Sequence, residues 1–249
     1  MRKIPFILLV LLFATESSAQ FEKPRNLPSF DYKKLHWGFT VGLNSMDYAI
    51  KRAENASVYP DVIGFQPAGF QVNIVSDLRL SDYWNLRFLP GINLGSRNMI
   101  YFDPGSWEAI NLNDLLDIDP SQDNDPYAST IGSSYLDFPL LLKYRSERIN
   151  NYRPYVIGGL SYRLDMSAKQ SFSPDDDDLI ILKRGDVYLE AGFGIDQYLQ
   201  YFKYSTELKV AMGLRNLMQP GIYKNDNVAY ADAIEGVRSF IVMLNFHFE

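Results

Sequence analysis

The feature that most constrains this chain is an alternation of apolar and polar residues with a period of two, which recurs in eight segments after residue 35. In the first segment Trp37 and Phe39 share one face, whereas Gly38 and Thr40 share the other. This period places successive side chains on opposite faces of a β-strand, so each segment predicts a strand with one apolar and one polar side. Each segment has about 9–13 residues, the length that a tilted strand needs to cross a bilayer, whereas strands of soluble sandwiches have about five or six.

The polar faces of these segments carry full charges, so they lie either in water or inside a closed barrel. The lengths of the connections distinguish these two cases. The connections after the second, fourth and sixth segments are short, at about 81–83, 146–152 and 197–200, and the others run to about 20 to 40 residues, as periplasmic turns and external loops alternate in outer-membrane barrels. The sequence therefore predicts an all-β fold, namely an eight-stranded antiparallel up-and-down transmembrane β-barrel with short periplasmic turns and long extracellular loops.

Aromatic residues are frequent near the short-turn end of these segments. Tyrosine and tryptophan favour the membrane–water interface, because their rings combine an apolar body with a polar edge. We therefore expect an aromatic girdle at the periplasmic side of the barrel. The residues expected there are Trp37, Tyr83, Trp84, Tyr144, Tyr155, Tyr201, Phe202 and Phe248.

The first residues have the pattern of a secretory signal peptide. Arg2 and Lys3 form the charged start, residues 4–14 the apolar stretch and residues 17–19 a small-residue cleavage site. A retained membrane helix would need about 20 apolar residues, and this stretch has about 11. We therefore expect Sec-dependent export to the cell outer membrane, with cleavage after Ala19. The predicted divisions are a signal peptide at 1–19, a periplasmic N-terminal segment at 20–35 and the barrel at 36–249.

The lumen of an eight-stranded barrel is just wide enough for its own side chains. The predicted inward charges are of both signs, so they can form the paired network that buried charges require. A filled lumen argues against a diffusion channel. The residues expected to form this network are Asp77, Arg79, Arg87, Asp137, Lys143, Arg163, Glu190, Lys203, Glu207 and Lys209.

The residue inventory offers little for catalysis. Cysteine is absent, which excludes disulfides and thiolate metal sites, and there are two histidines. A Ser-His-Asp site in the external loops would lack its base, because both histidines are expected at the opposite end of the barrel. The net charge of −6 argues against nucleic acid as a partner. We therefore expect no enzyme activity, no cofactor and no small-molecule substrate, with outer-membrane lipid as the surrounding partner.

Two features leave a metal site open. His36 opens the first strand and His247 nearly ends the last, so closure of the barrel would turn both imidazoles into the lumen at the periplasmic rim. Such a pair could bind a metal or respond to pH, or it could simply cap the lumen near the seam. The acidic stretches at 114–127 and 175–178 could bind Ca²⁺, but they lack EF-hand spacing and are equally explained as solvated external loops.

The last segment, Phe246-His247-Phe248-Glu249, is similar to the aromatic-ended final strand that barrel-insertion machinery recognises. The aromatic residue usually comes last, so Glu249 is a small departure from the pattern. A final strand of this kind needs a partner along its free edge, and pairing with the first strand would provide it. The segment therefore supports closure of the barrel.

Four runs resemble the PorT family of outer-membrane β-barrels, within the wider superfamily of outer membrane protein beta-barrel domains. They are FDYKKLHWGF at 30–39, LPGINLG at 89–95, YLDFPLLLK at 135–143 and RPYVIGG at 153–159. The last three are common to many barrels of the superfamily, and Asp137 stands where glutamate is expected. The resemblance implies a non-catalytic component of the type IX secretion system, which exports folded cargo with C-terminal signal domains across the outer membrane.

The resemblance also implies other type IX secretion components as partners. The segment at 20–35 and the short turns are the parts of the chain expected to face them. A second interpretation is a generic outer-membrane barrel that acts in adhesion or envelope anchoring through its external loops.

Overall fold

The computed structural model describes residues 25–52, 61–65, 68–102, 128–167, 183–217 and 234–249. Within these ranges the chain forms one short 3₁₀ helix at Phe30–Tyr32 and ten β-strands. The strands are β1 (Leu35–Arg52), β2 (Asp61–Phe65), β3 (Ala68–Arg79), β4 (Trp84–Phe88), β5 (Gly91–Phe102), β6 (Ala128–Arg145), β7 (Tyr152–Asp165), β8 (Gly185–Tyr198), β9 (Lys203–Gly213) and β10 (Ile234–Phe248). The predicted signal peptide and the acidic stretches at 114–127 and 175–178 lie outside the described residues.

The strands close into a barrel. Neighbours pair antiparallel in the order β1-β10-β9-β8-β7-β6, and β1 also pairs with β3. β4 and β5 follow one another along a single stave, because each pairs with β3 on one side and β6 on the other. The closed wall therefore has eight staves, which confirms the predicted fold class. β2 is a short additional strand that pairs with the far part of β5.

The wall is apolar outside and polar inside. Along β9, Lys203, Ser205 and Glu207 point inward, whereas Leu208 and Val210 point outward. The outward Leu208 is 40% exposed and the inward Glu207 is 0% exposed. A soluble protein buries its apolar groups and exposes its charges, so the reversed arrangement requires an apolar surrounding medium.

One stave differs from its prediction. The third predicted strand is interrupted at Leu89 and Pro90, which separate β4 from β5. Proline has no amide hydrogen to donate to a neighbouring strand. The carbonyl of Pro90 accepts a hydrogen bond from the Ile74 amide at 2.9 Å, and the Leu89 amide donates to the Pro139 carbonyl at 3.1 Å. The alternation of faces continues across the interruption, so Leu89 points into the lumen, where it is 2% exposed.

The short connections join β3 to β4, β6 to β7 and β8 to β9, as the sequence predicted. At this end of the barrel the expected aromatic girdle lies on the outer surface, with one exception. The prediction for Tyr155 was wrong, because this residue occupies an inward position of β7 and is 4% exposed. Among the described residues no helix has the length and hydropathy needed to cross a membrane. The exposed girdle residues are Trp37, Tyr83, Trp84, Tyr144, Tyr201 and Phe202.

Candidate functional site in the lumen and at the periplasmic mouth

The part of the lumen nearest the short turns is organised around Arg87. Its guanidinium donates two hydrogen bonds to one oxygen of Asp77, at 2.9 Å from Nε and 2.6 Å from Nη2. Nη2 also donates to Glu249 Oε1 at 2.8 Å, and Lys203 Nζ donates to Glu249 Oε2 at 2.8 Å. Glu249, which the sequence presented as a departure from an aromatic ending, therefore links two buried cations.

A second set of pairs lies beside this cluster. Lys143 Nζ donates to both carboxylate oxygens of Asp196, at 2.8 and 2.9 Å. The hydroxyl of Tyr155 donates to Glu207 Oε2 at 2.9 Å, and its ring centre lies 3.6 Å from Lys143 Nζ. Tyr155 thus connects a cation and an anion from different strands, which explains its place in the lumen.

A further network lies farther from the short turns. Arg163 contacts Asp137 Oδ1 at 3.1 Å and donates to Glu190 Oε1 at 2.5 Å. Lys209 Nζ lies 2.7 Å from the other oxygen of Glu190. The Arg163 guanidinium also stacks 4.4 Å from the centre of the Tyr188 ring. Two cations and two carboxylates therefore balance within this network.

The structure places nine of the ten predicted charges in the lumen and leaves Arg79 outside it. Arg79 is the last residue of β3, where it pairs with Asp82 of the following turn, and its side chain is 23% exposed. The prediction for Arg79 was wrong because alternation does not show how far the enclosed part of a strand extends.

Sequence reasoning missed the apolar residues that share the lumen with these charges. One cluster near the middle and another farther from the short turns contain fully buried side chains, and all of them stand at inward positions of their strands. The alternation itself could have found them, had inward positions been assigned without regard to residue type. With the ion pairs they fill the described part of the barrel. The first cluster is Val75, Leu89, Leu141, Tyr155 and Ile157, and the second is Met46, Tyr135, Tyr188, Ala211, Ile241 and Met243.

The two histidines face the lumen but do not form a pair. His247 lies opposite Thr40, not His36, in the register of β1 with β10, so roughly 13 Å of strand separates them at ~3.3 Å per residue. His247 Nδ1 lies 2.6 Å from Thr40 Oγ1 and its Nε2 lies 3.3 Å from Glu207 Oε2. His36 instead stacks on Phe30, with ring centres 4.1 Å apart. The expectation that they lie together at the rim was wrong, and the described residues contain no group of three or more potential metal ligands.

The N-terminal residues before β1 lie across the periplasmic mouth. Asp31 reaches three arginines, with distances of 3.1 Å to Arg153, 3.5 Å to Arg148 and 3.6 Å to Arg145. The hydroxyl of Tyr198 donates to Asp31 Oδ1 at 2.7 Å. Burial alone would raise the pKa of Asp31, but the hydrogen bond from Tyr198 and the three guanidinium groups hold it below its ordinary value. Asp31 is therefore a charged anchor for this segment.

Further contacts hold the same segment, here called the strap and defined as residues 25–34. The Asn26 amide donates to Asn151 Oδ1 at 2.9 Å, and the Asn26 side chain donates to the Tyr198 carbonyl at 3.0 Å. Phe30 packs on His36 and lies with its ring centre 5.0 Å from Lys203 Nζ. The segment that sequence reasoning treated as a tail is thus a cover over the lumen.

The family model of the outer membrane protein beta-barrel domain matches residues 18–219. Two solved structures are similar to the chain. The outer membrane protein OprG from Pseudomonas aeruginosa is 11% identical over 86% of this chain and 91% of that one, with a TM-score of 0.40. Neisserial surface protein A is 10% identical over 86% of this chain and 98% of that one, with a TM-score of 0.41. No curated protein matches the sequence.

Proposed function

Since the chain belongs to the outer membrane protein beta-barrel domain family and is an outer-membrane β-barrel, we propose that it is a non-catalytic, non-conducting component of the type IX secretion system. In this role it is exported through the Sec pathway, loses residues 1–19 by cleavage after Ala19, and acts on cargo export through its surfaces. Its partners are other components of that system.

The observation that carries the proposal is the occupied lumen. Arg87, Lys143 and Arg163 are each 0% exposed and each is paired with a carboxylate. Ions or solutes crossing this lumen would have to separate such pairs, which costs several kcal/mol, of order 3–5, when one partner of a buried pair is lost. A barrel that does not conduct must act through the parts that it presents to its surroundings.

The strap supports the secretion role in particular. The run at 30–39, which carries the most specific part of the resemblance to the PorT family, contains both Asp31 and His36. These two residues anchor the strap at the periplasmic mouth. A partner in the periplasm would meet the strap and the short turns first.

The absence of enzyme activity is part of the proposal. His247 lies between Thr40 and Glu207 at 0% exposure, and His36 is 5% exposed beneath Phe30. A general base must reach the proton that it removes from a substrate. Neither imidazole is open to a substrate in the described residues.

The decisive experiment is deletion of the chromosomal copy, followed by complementation. We expect cargo with C-terminal signal domains to accumulate in the periplasm of the deletion strain, while the envelope keeps its barrier to detergents and large antibiotics. Wild-type protein and the Arg184→Gln variant, which changes an exposed residue at the external end, should both restore export. Normal cargo export in the deletion strain would overturn the proposal.

The same strains test the second candidate, adhesion or envelope anchoring. Shortening of the external connection at 103–127 should leave export intact if secretion is the function. Loss of surface binding together with normal export in the deletion strain would assign the protein to adhesion instead.

A further inference from the structure

A cavity of about 460 Å³ lies at the periplasmic mouth, between the strap and the short turns. Five arginines line it, and they come from three separate parts of the chain. One is in the strap, one ends β3, and the other three belong to the end of β6, the following turn and the start of β7. The five arginines are Arg25, Arg79, Arg145, Arg148 and Arg153.

The charges around this cavity are not balanced. Three carboxylates, Asp31, Asp82 and Glu147, also line it, so five cations face three anions and leave a formal excess of two positive charges. Each carboxylate already has a partner, since Asp31 contacts the arginine triad, Asp82 pairs with Arg79 and Glu147 accepts from the Tyr83 hydroxyl at 3.2 Å. The cavity therefore has capacity for a further anion.

A buried donor supports the same conclusion independently. The side chain of Arg145 is 2% exposed, and its Nε–H has no hydrogen-bond partner. A buried donor without a partner is unfavourable, by about 1–3 kcal/mol in measured cases, and such groups usually face water or a ligand. Arg145 lines the cavity, so an anion bound there is placed to accept from it.

The position of the cavity indicates the source of that anion. Tyr83 lines the cavity and is 41% exposed, and its ring centre lies 6.4 Å from that of Tyr144. Trp84 packs against the same Tyr144 ring at 4.8 Å. These are outward aromatics of the girdle, and such rings lie at the level of lipid headgroups. The cavity thus borders the headgroup layer of the periplasmic leaflet.

We propose that this cavity binds the phosphate group of an anionic phospholipid from the periplasmic leaflet. The planar guanidinium group donates two parallel hydrogen bonds to phosphate, which makes arginine the preferred residue for such recognition. The lipid chains would lie against the outer wall beside Tyr83 and Tyr144. This inference goes beyond the secretion role and does not depend on it.

The test uses the purified mature protein, delipidated in a neutral detergent, and native mass spectrometry. The probes are short-chain phosphatidylglycerol, a phosphate-free glycolipid of the same chain length, inorganic phosphate and an acidic peptide. The variant is Arg25→Gln with Arg79→Gln, because neither residue belongs to the triad around Asp31. Arg184→Gln, far from the cavity, is the matched control.

We expect phosphatidylglycerol to bind the wild-type protein at least tenfold more tightly than the glycolipid, and inorganic phosphate to compete with it. The double variant should lose most of this preference, and Arg184→Gln should keep it. If the double variant does not fold, the comparison of lipids on the wild-type protein decides the matter. Equal binding of the two lipids, undiminished phosphatidylglycerol binding by a folded double variant, or binding of the acidic peptide alone would overturn the proposal.

Discussion

Replacement of Arg87 by methionine tests whether the lumen is held together by its ion pairs. Methionine keeps much of the length of the side chain and removes its charge and hydrogen bonds. Of the three carboxylates around Arg87, Glu249 keeps Lys203 at 2.8 Å and Glu207 keeps His247 at 3.3 Å. Asp77 loses both of its hydrogen bonds from Arg87 and retains Asn85 as a neutral donor.

The magnitude follows from this difference. Loss of one partner of a buried ion pair destabilises a protein by about 3–5 kcal/mol, because the other charge remains buried without compensation. We expect Arg87→Met to lower the free energy of unfolding by that amount. The double variant Arg87→Met with Asp77→Asn removes both charges, so it should recover much of the loss.

The assay is reversible urea unfolding of the barrel in lipid vesicles, followed by tryptophan fluorescence. Arg184→Met, at an exposed position, serves as the control and should stay within about 0.5 kcal/mol of the wild-type protein. If Arg87→Met were equally mild, or if Asp77→Asn gave no recovery in its background, the ion pairs would not be what stabilises the lumen.

Three further outcomes are expected. Asp31→Asn should speed amide hydrogen exchange in residues 25–34 and leave the strands unchanged; because the docked pKa of Asp31 lies below its ordinary 3.8, anchoring should be complete above that pH and be lost as the pH falls below it, so faster exchange at neutral pH in the wild-type protein would contradict this anchor. Gly194→Ala should cost about 1–3 kcal/mol of unfolding free energy in the urea assay, because an added Cβ would lie 2.5 Å from the Tyr155 ring, whereas at Gly158 the nearest atom is 3.5 Å away and the same change should be mild. In planar bilayers the purified protein should show no steady conductance, and stepwise single-channel currents would show that the lumen opens.

The strand pattern was predictable because every stave obeys the same period of two. Inward charges such as Asp137 and Glu190 follow from that period without any knowledge of partners. The partners themselves depend on strand tilt and stagger, which set the heights of residues across the lumen. For this reason the sequence placed His36 beside His247, whereas the register of β1 with β10 puts Thr40 there.

The strap could not be predicted from periodicity. Residues 25–34 include one three-residue helix, Phe30–Tyr32, and no strand beyond it before β1. Its position is fixed by single contacts of Asp31 and Asn26 with distant turns, and no local pattern in the sequence encodes such contacts. The cavity beneath it was missed for the same reason, since its arginines are far apart in the chain.

The gap between β4 and β5 also determines where the wall is mechanically weakest. β3 holds this stave by two separate short ladders, whereas β7 and β8 share one continuous ladder. At the gap, Pro90 and the facing Pro139 have no amide hydrogens to add to the cross-links between staves. If the cylinder is pulled or squeezed by its surroundings, the first rupture should run along this line, and the remaining seven staves should separate later.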